Sequence, residues 1–357
     1  LFEKKFSEYQ GSKFSILFNS GASSNLAILQ AARNIGILKP GDDVGFSGLT
    51  WSTNVMPIIQ MGFTPVPIDC DPKTLNVMSK NLLERLEQKD VNLKAFFATN
   101  VLGFAGDLDQ IRDICREEKI LFFEDNCEAL GTRLADRLTG SFSLASSFSF
   151  FVAHHMSTIE GGLVCTDNEE FADMLTIVRA NGWDRNLTAE KQHKWREHYN
   201  INSEFNAKYT FYDLAYNLRP TEITGFLGCN QMQHLEKNIS TRESNYIFLE
   251  ENVRINPDLI SQDKYHIEKL SSFAFPVITK TRELHDLYLA KFSGAGVEVR
   301  PMIAGNIQSQ PFYKKYTKKE YELPGTEFLH ECSFYCGNYP ELTNSELDVL
   351  RSCLLKH

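Results

Sequence analysis

Two hydrophobic patterns alternate along the chain. In FSILFN (14–19), DVGFSG (43–48), TPVPID (64–69), KAFFATNV (94–101) and ILFFED (120–125) apolar residues sit almost side by side. Between these runs lie SSNLAILQAARNIG, NVMPIIQMG, SKNLLERLEQ and DLDQIRDICREEK, where apolar positions recur every three to four residues. Short continuous apolar runs predict strands buried on both faces, and the intervening spacing predicts helices. Their alternation predicts βαβ units, an α/β fold with a mainly parallel sheet and helices on both sides. Further on, QMQHLEKNISTRESNYIFLEEN predicts one long helix of the kind that links two domains. Beyond it FAFPVI and VEVRPMI, separated by a helical stretch, predict a small α+β domain. The expected division is a large domain over 1–235, then a linking helix and small C-terminal domain over 236–357.

Composition narrows the class. With 357 residues, 42% hydrophobic and 23% charged, the chain has the make-up of a soluble globular protein. It contains no apolar run near the roughly 18 residues of a membrane span. The net charge of −9 argues against nucleic-acid partners, which require basic faces. Anionic ligands must be met by local basic groups or helix N-termini. The 8 cysteines are scattered, mostly in apolar stretches, as expected of reduced thiols in a cytoplasmic protein. Cys332 and Cys336 are the only close pair, and without a second pair nearby no metal site is expected. The chain opens at Leu1 directly in a helical pattern, LFEKKFSEYQG, which suggests that an N-terminal arm precedes it.

Four stretches carry candidate chemistry. NSGASSN (19–25) is a strand end running into a helix start. Gly21 permits a tight turn, and Ala22, Ser23 and Ser24 offer N–H groups and hydroxyls at the positive end of a helix, a site suited to a phosphate. Ordinary N-capping would use the same residues. In FFEDNCEALG (122–131), Asp125 ends a buried strand and Glu128 follows within reach. Ligands of open α/β sheets sit beyond such strand ends, so Asp125 is either a helix cap or a partner for a cationic ring nitrogen. In SFSFFVAHHMSTIEGGLV (147–164), Ser149 is followed by His154, His155 and a glycine pair. Two imidazoles at the end of an apolar strand are either core residues satisfied by neighbours or proton-transfer groups. In YNLRPTEITGFLG (216–228), Asn217 and Arg219 precede a helix, and Arg219 can hold a carboxylate or phosphate as a fork.

In order and spacing these stretches resemble the DegT/DnrJ/EryC1/StrS sugar aminotransferases, which share the aspartate-aminotransferase (fold type I) architecture. The resemblance runs from LFEKKFSEYQGSK to FYCGNYPELT. The family's S-G-T-x-A phosphate loop matches Ser20-Gly21-Ala22-Ser23-Ser24, and its ring-stacking aromatic matches Trp51. Its E-D-x-x-Q-A-x-G strand end matches Glu124 to Gly131. Its S-F-x-x-x-K block and following E-G-G match Ser149-Phe150 and Glu160-Gly161-Gly162, and its N-x-R motif matches Asn217 and Arg219.

One position departs. His154 stands where the family's aminotransferases carry the lysine that bonds pyridoxal phosphate covalently. Imidazole cannot form that bond but can move protons near neutral pH. This combination is similar to the family's 3-dehydratases, which also share EDNCE, AHHM and the Ala304-Gly305-Asn306 stretch. One type binds an iron–sulfur cluster through cysteines just after E-G-G. Here VRANGWDRNLTAEKQHKWREHY (178–199) has none, and such clusters need thiolates. The resemblance therefore implies the cluster-free type, which acts on GDP-4-keto-6-deoxymannose on the way to 3,6-dideoxysugars. It implies pyridoxal and pyridoxamine phosphate as cofactor, glutamate as co-substrate, and a homodimer with shared sites. His154 would be catalytic. Gly21, Ala22, Ser23, Trp51, Asp125, Glu128, Ser149 and Asn217 would hold the cofactor, and Arg219, His155, Arg300 and Asn306 the substrate. An aminotransferase working without its lysine and a non-catalytic sugar-nucleotide-binding regulator are the alternatives. The latter should show decay at Asp125, Ser149 or Asn217, and the sequence shows none.

Overall fold

The computed structural model describes residues 1–356. Among these residues there are twelve strands: β1 (Phe14–Phe18), β2 (Asp43–Ser47), β3 (Thr64–Ile68), β4 (Leu93–Thr99), β5 (Leu121–Asp125), β6 (Arg133–Leu134), β7 (Arg137–Leu138), β8 (Ala145–Ser149), β9 (Gly162–Thr166), β10 (Ala274–Ile278), β11 (Val299–Pro301) and β12 (Ser333–Gly337). Seven of them form one sheet in the order β1-β9-β8-β5-β4-β2-β3. The pairs β8–β5, β5–β4, β4–β2 and β2–β3 are parallel, while β9 runs against both β1 and β8. The mainly parallel sheet expected from the apolar runs is present. Each run is apolar on both faces because each face is covered. Ile28 and Ala31 of the helix Gly21–Asn34 pack with Phe18, Phe46, Phe97 and Phe123, whereas Phe96 and Phe122 meet Leu82, Leu108 and Ile111 on the other side.

The long helix Leu235–Ile255 joins two cores. Its Leu235 and Ile239 pack with Phe148 and Phe150, and its Tyr246, Leu249 and Val253 pack with residues of a second, three-stranded antiparallel sheet ordered β10-β12-β11. This helix differs from the uninterrupted one that the sequence predicts over 231–252. A separate helix, Glu222–Gln231, ends just before it, and Gln233 and His234 donate locally to Asn230 and Gln231. The break is a single turn, short enough for apolar spacing to continue through it. The central strand of the small sheet, β12, is not foreseen. It follows the helix Pro324–Cys332 without a loop, so no turn residue marks its start. Among the described residues no helix is long and apolar enough to cross a membrane.

Strands β1, β2, β4, β5 and β8 point the same way, so their carboxyl ends share one edge of the sheet. Gly21, Ser23, Asp125, Ser149 and His154 follow or end these strands and lie at that edge.

Candidate active site

The first component is a cradle at the end of β1. Ser20 caps the helix Gly21–Asn34, its Oγ accepting from Ser23 N at 3.1 Å, and Ser23 Oγ donates to Asn19 at 2.5 Å. Gly21 and Ala22 come first in this helix, so their N–H groups precede any helical acceptor and sit at the positive end of its dipole. The space is tight. A Cβ on Gly21 would lie 2.6 Å from Ser149 Cβ and 3.1 Å from Cys127 Sγ, and one on Gly162 would lie 2.0 Å from Ser20 O. The two glycines let β1, β5, β8 and β9 converge on one point.

Asp125 occupies the centre of the edge and is 4% exposed. Its Oδ2 accepts from Asn25 Nδ2 at 2.9 Å and Asn54 Nδ2 at 2.8 Å, and its Oδ1 accepts from Cys127 N at 2.9 Å. Asn25 is oriented in turn by the Ser147 hydroxyl, which donates to its Oδ1 at 2.5 Å. Asn54 lies one turn into the helix that begins after Trp51, and Trp51, 56% exposed, stands at the mouth of the same edge.

His154 lies in the turn after β8. Its Nδ1 is 2.7 Å from Cys127 O, and a carbonyl only accepts, so Nδ1 carries the proton and Nε2 holds the lone pair. Burial pushes its pKa down to about 4, outweighing the opposing effects of that hydrogen bond and of Asp125. At neutral pH the ring is therefore a neutral base. His155 is 2% exposed, its Nε2 bound to Ser271 O at 3.0 Å, and burial together with Arg242 pushes its pKa well below the ordinary range. Each ring is thus held through one nitrogen, His155 by Ser271 O and His154 by Cys127 O, and the two differ in which nitrogen is held.

A strand-end cradle, a buried aspartate and a following imidazole match a known pattern along the whole chain. The family model of the DegT/DnrJ/EryC1/StrS aminotransferase family matches residues 1–354. The chain belongs to this family. A Yersinia pseudotuberculosis relative, GDP-4-keto-6-deoxy-D-mannose 3-dehydratase, is 32% identical over 99% of this chain and 90% of its own. Among solved structures, GDP-4-keto-6-deoxymannose-3-dehydratase with a trapped PLP-glutamate geminal diamine superposes with a TM-score of 0.90 at 30% identity, covering 99% of this chain and 91% of that one. A His-to-Asn variant of that enzyme with bound GDP-perosamine gives 0.89, also at 30% identity and the same coverage. The fold is thus the aminotransferase-like one.

Other candidates are placed as follows. Glu128 Oε2 accepts from Leu102 N at 2.9 Å, and burial, aided by the nearby Asp125 charge, pushes its carboxyl up to about 8. Ser149 is 8% exposed beside Gly21. Arg300 lines a cavity of about 800 Å³ together with His154, His155, Arg242, Phe273 and Tyr335, its guanidinium paired with Glu298. Asn306 does not line that cavity. It donates to Glu327 at 2.7 Å and bridges to Leu49, two residues before Trp51. Asn217 and Arg219 are exposed and bonded to each other at 3.0 Å, and neither lines the cavity. Sequence reading missed Asn25, Asn54 and the Cys127 carbonyl.

Proposed function

We propose that this chain is a pyridoxamine-phosphate-dependent 3-dehydratase. It removes the 3-hydroxyl of a nucleotide-linked 4-keto-6-deoxyhexose, with GDP-4-keto-6-deoxymannose favoured by the named relatives, and glutamate restores the amine form of the cofactor. The observation that carries this reading is His154, a neutral imidazole with a free Nε2 lone pair where the family's aminotransferases place lysine.

The residues present fit the cofactor. The cradle at Gly21 and Ala22 offers backbone N–H groups to an anion, with no room for a Cβ at Gly21, and Asp125 is a buried acceptor suited to a protonated ring nitrogen. Gly21, Ala22 and Ser23 would hold the phosphate, Trp51 would cover the ring, and Ser149, Glu128 and a partner's Asn217 would complete the enclosure. When bound, the cofactor supplies an amine for the sugar ketone and a ring that withdraws electrons. His154 Nε2 would take up the proton that the elimination releases and deliver it to the departing 3-hydroxyl oxygen, which would leave as water. Cys127 O fixes the tautomer that makes this possible. Arg219 and Arg300 are the forks offered to anionic groups of glutamate and the nucleotide sugar, with His155 and Asn306 as further substrate contacts.

The absence of a lysine at position 154 has a direct consequence. Borohydride reduction of the protein loaded with pyridoxal phosphate should leave no cofactor covalently attached by intact-mass measurement. A reduced adduct on a single active-site lysine would overturn the reading.

The site is proposed to be completed by a second copy. Phe205, Leu214, Ile223 and Phe226 are 80%, 61%, 65% and 74% exposed and flank Asn217 and Arg219 in sequence. Large exposed apolar side chains in this stretch of chain support an interface there. Sedimentation at micromolar concentration should give twice the chain mass, and a fully active monomer would contradict it.

A further inference from the structure

We infer that Phe273 is a positioning residue for the His154 imidazole, sheathing one side of the ring while its own backbone is locked from both cores. The inference rests on the function proposed above for His154. The Phe273 ring lies 5.1 Å from the His154 ring, tilted by 40°, and 5.8 Å from that of His155. Phe151 meets His154 edge-on at 6.2 Å but is 42% exposed, so it shields less. The Nδ1 bond to Cys127 fixes one point of the imidazole, and a second surface is needed to fix where Nε2 aims.

The segment carrying Phe273 is held at four backbone atoms. Ser271 N donates to Thr132 Oγ1 at 3.1 Å, and Ser271 O accepts from His155 at 3.0 Å. Phe273 N donates to Leu102 O at 3.0 Å, and Phe273 O accepts from Arg242 at 2.7 Å. Leu102 has a φ of 54°, a left-handed conformation costly for a residue with a Cβ, and Glu128 holds it through its N–H. Such over-determination suits a part whose placement matters. It also assigns Glu128 a role beyond cofactor contact, as the anchor of the loop that anchors Phe273.

The charged and titratable groups around His154 are Asp125 and Cys127 from the β5 end, Arg242 from the long helix, and His155 beside it; Glu298, Arg300, Tyr335, Cys336, Tyr339, Glu341 and Glu346 line the shared cavity. Of the two apolar rings that meet the imidazole, Phe151 and Phe273, the nearer is Phe273. Removing it admits water, which favours the protonated form.

The test compares Phe273→Ala, Phe273→Leu and Phe275→Leu, the last a neighbouring core ring 1% exposed that does not touch His154. The His154 titration is read by nitrogen-detected imidazole NMR, which needs no turnover, alongside kcat and KM across pH. Phe273→Ala should raise the His154 midpoint by at least one pH unit, move the acid limb of kcat with it, and lower kcat about 10-fold or more with KM within about 3-fold. Phe273→Leu should do the same to a smaller degree, and it keeps the test available if the alanine variant does not fold. Phe275→Leu should lower Tm and leave the midpoint in place. An unchanged His154 midpoint in folded Phe273 variants would overturn the inference. A shifted midpoint with no dehydration by the parent protein would instead overturn the proposed function and leave the positioning intact.

Discussion

Replacing His154 with asparagine is expected to abolish 3-deoxygenation while cofactor binding survives. Asparagine can keep a donor near the Cys127 carbonyl, but it has no lone pair basic enough to accept a proton. Proton transfer by a positioned histidine contributes about 10²–10⁴-fold, so a loss of that size is expected in kcat, with KM little changed. Cofactor affinity should stay within a few-fold, because the cradle at Gly21 and Ala22 and the Asp125 carboxylate are untouched. The replacement also changes how folding depends on pH. His154 is pushed down to about 4 in the folded chain, below the ordinary value near 6.5. The unfolded chain therefore binds a proton first, and this group costs the fold stability as pH falls from about 6.5 towards about 4. His154→Asn should flatten that part of the pH–stability curve. Turnover and urea unfolding across pH 4–8 check both effects. Retention of wild-type kcat would remove His154 from the chemistry.

Asp125→Asn should cost roughly two to three orders of magnitude in turnover, the scale seen when one preorganised electrostatic partner is lost. The substituted amide is nearly isosteric, so the sheet edge should hold. Its NH₂ cannot accept from Asn25 Nδ2 and Asn54 Nδ2, which now converge on Asp125 Oδ2. The NH₂ would face those two donors or, with the amide flipped, the Cys127 N–H, so donors meet in either orientation, and the negative charge proposed to keep a ring nitrogen protonated would be gone. Cofactor affinity should fall by about 10-fold or more, unlike in His154→Asn. Equilibrium titration with pyridoxamine phosphate and single-turnover kinetics distinguish the two variants. Equal affinity in wild type and Asp125→Asn would contradict the role given to this carboxylate.

How much of this was legible in the sequence follows from how local each signal is. Strand β5 and its terminal Asp125 could be read because an apolar run ending in a carboxylate is a local pattern. Gly21 and Ser20 could be read because a helix start is equally local. His154 stood out because a polar ring interrupts an apolar strand end. What fixes these groups was not legible. Asn25 and Asn54 reach Asp125 across 100 and 71 residues of chain, and nothing near them in sequence marks that contact. Phe273 meets His154 only because the long helix brings the small sheet back against the β8 turn. Arg242, one of several charges in the long helix, is 4% exposed and donates to backbone carbonyls of Phe273 and Asn338, contacts that no local pattern marks. Arg300 and Asn306, grouped by resemblance, lie apart in one chain: one lines the cavity beside His154, and the other is tied to Glu327.

The central claim is that the lone pair on His154 directs loss of a hydroxyl and no amine is installed in its place. The most direct measurement is product analysis. The protein is incubated with GDP-4-keto-6-deoxymannose, pyridoxal phosphate and glutamate, and the sugar is examined by mass spectrometry and proton NMR. The account predicts a 4-keto-3,6-dideoxy sugar, with a methylene at C3 and ammonia released. A 4-amino sugar that retains its 3-hydroxyl would contradict it and make the chain an aminotransferase working without its lysine.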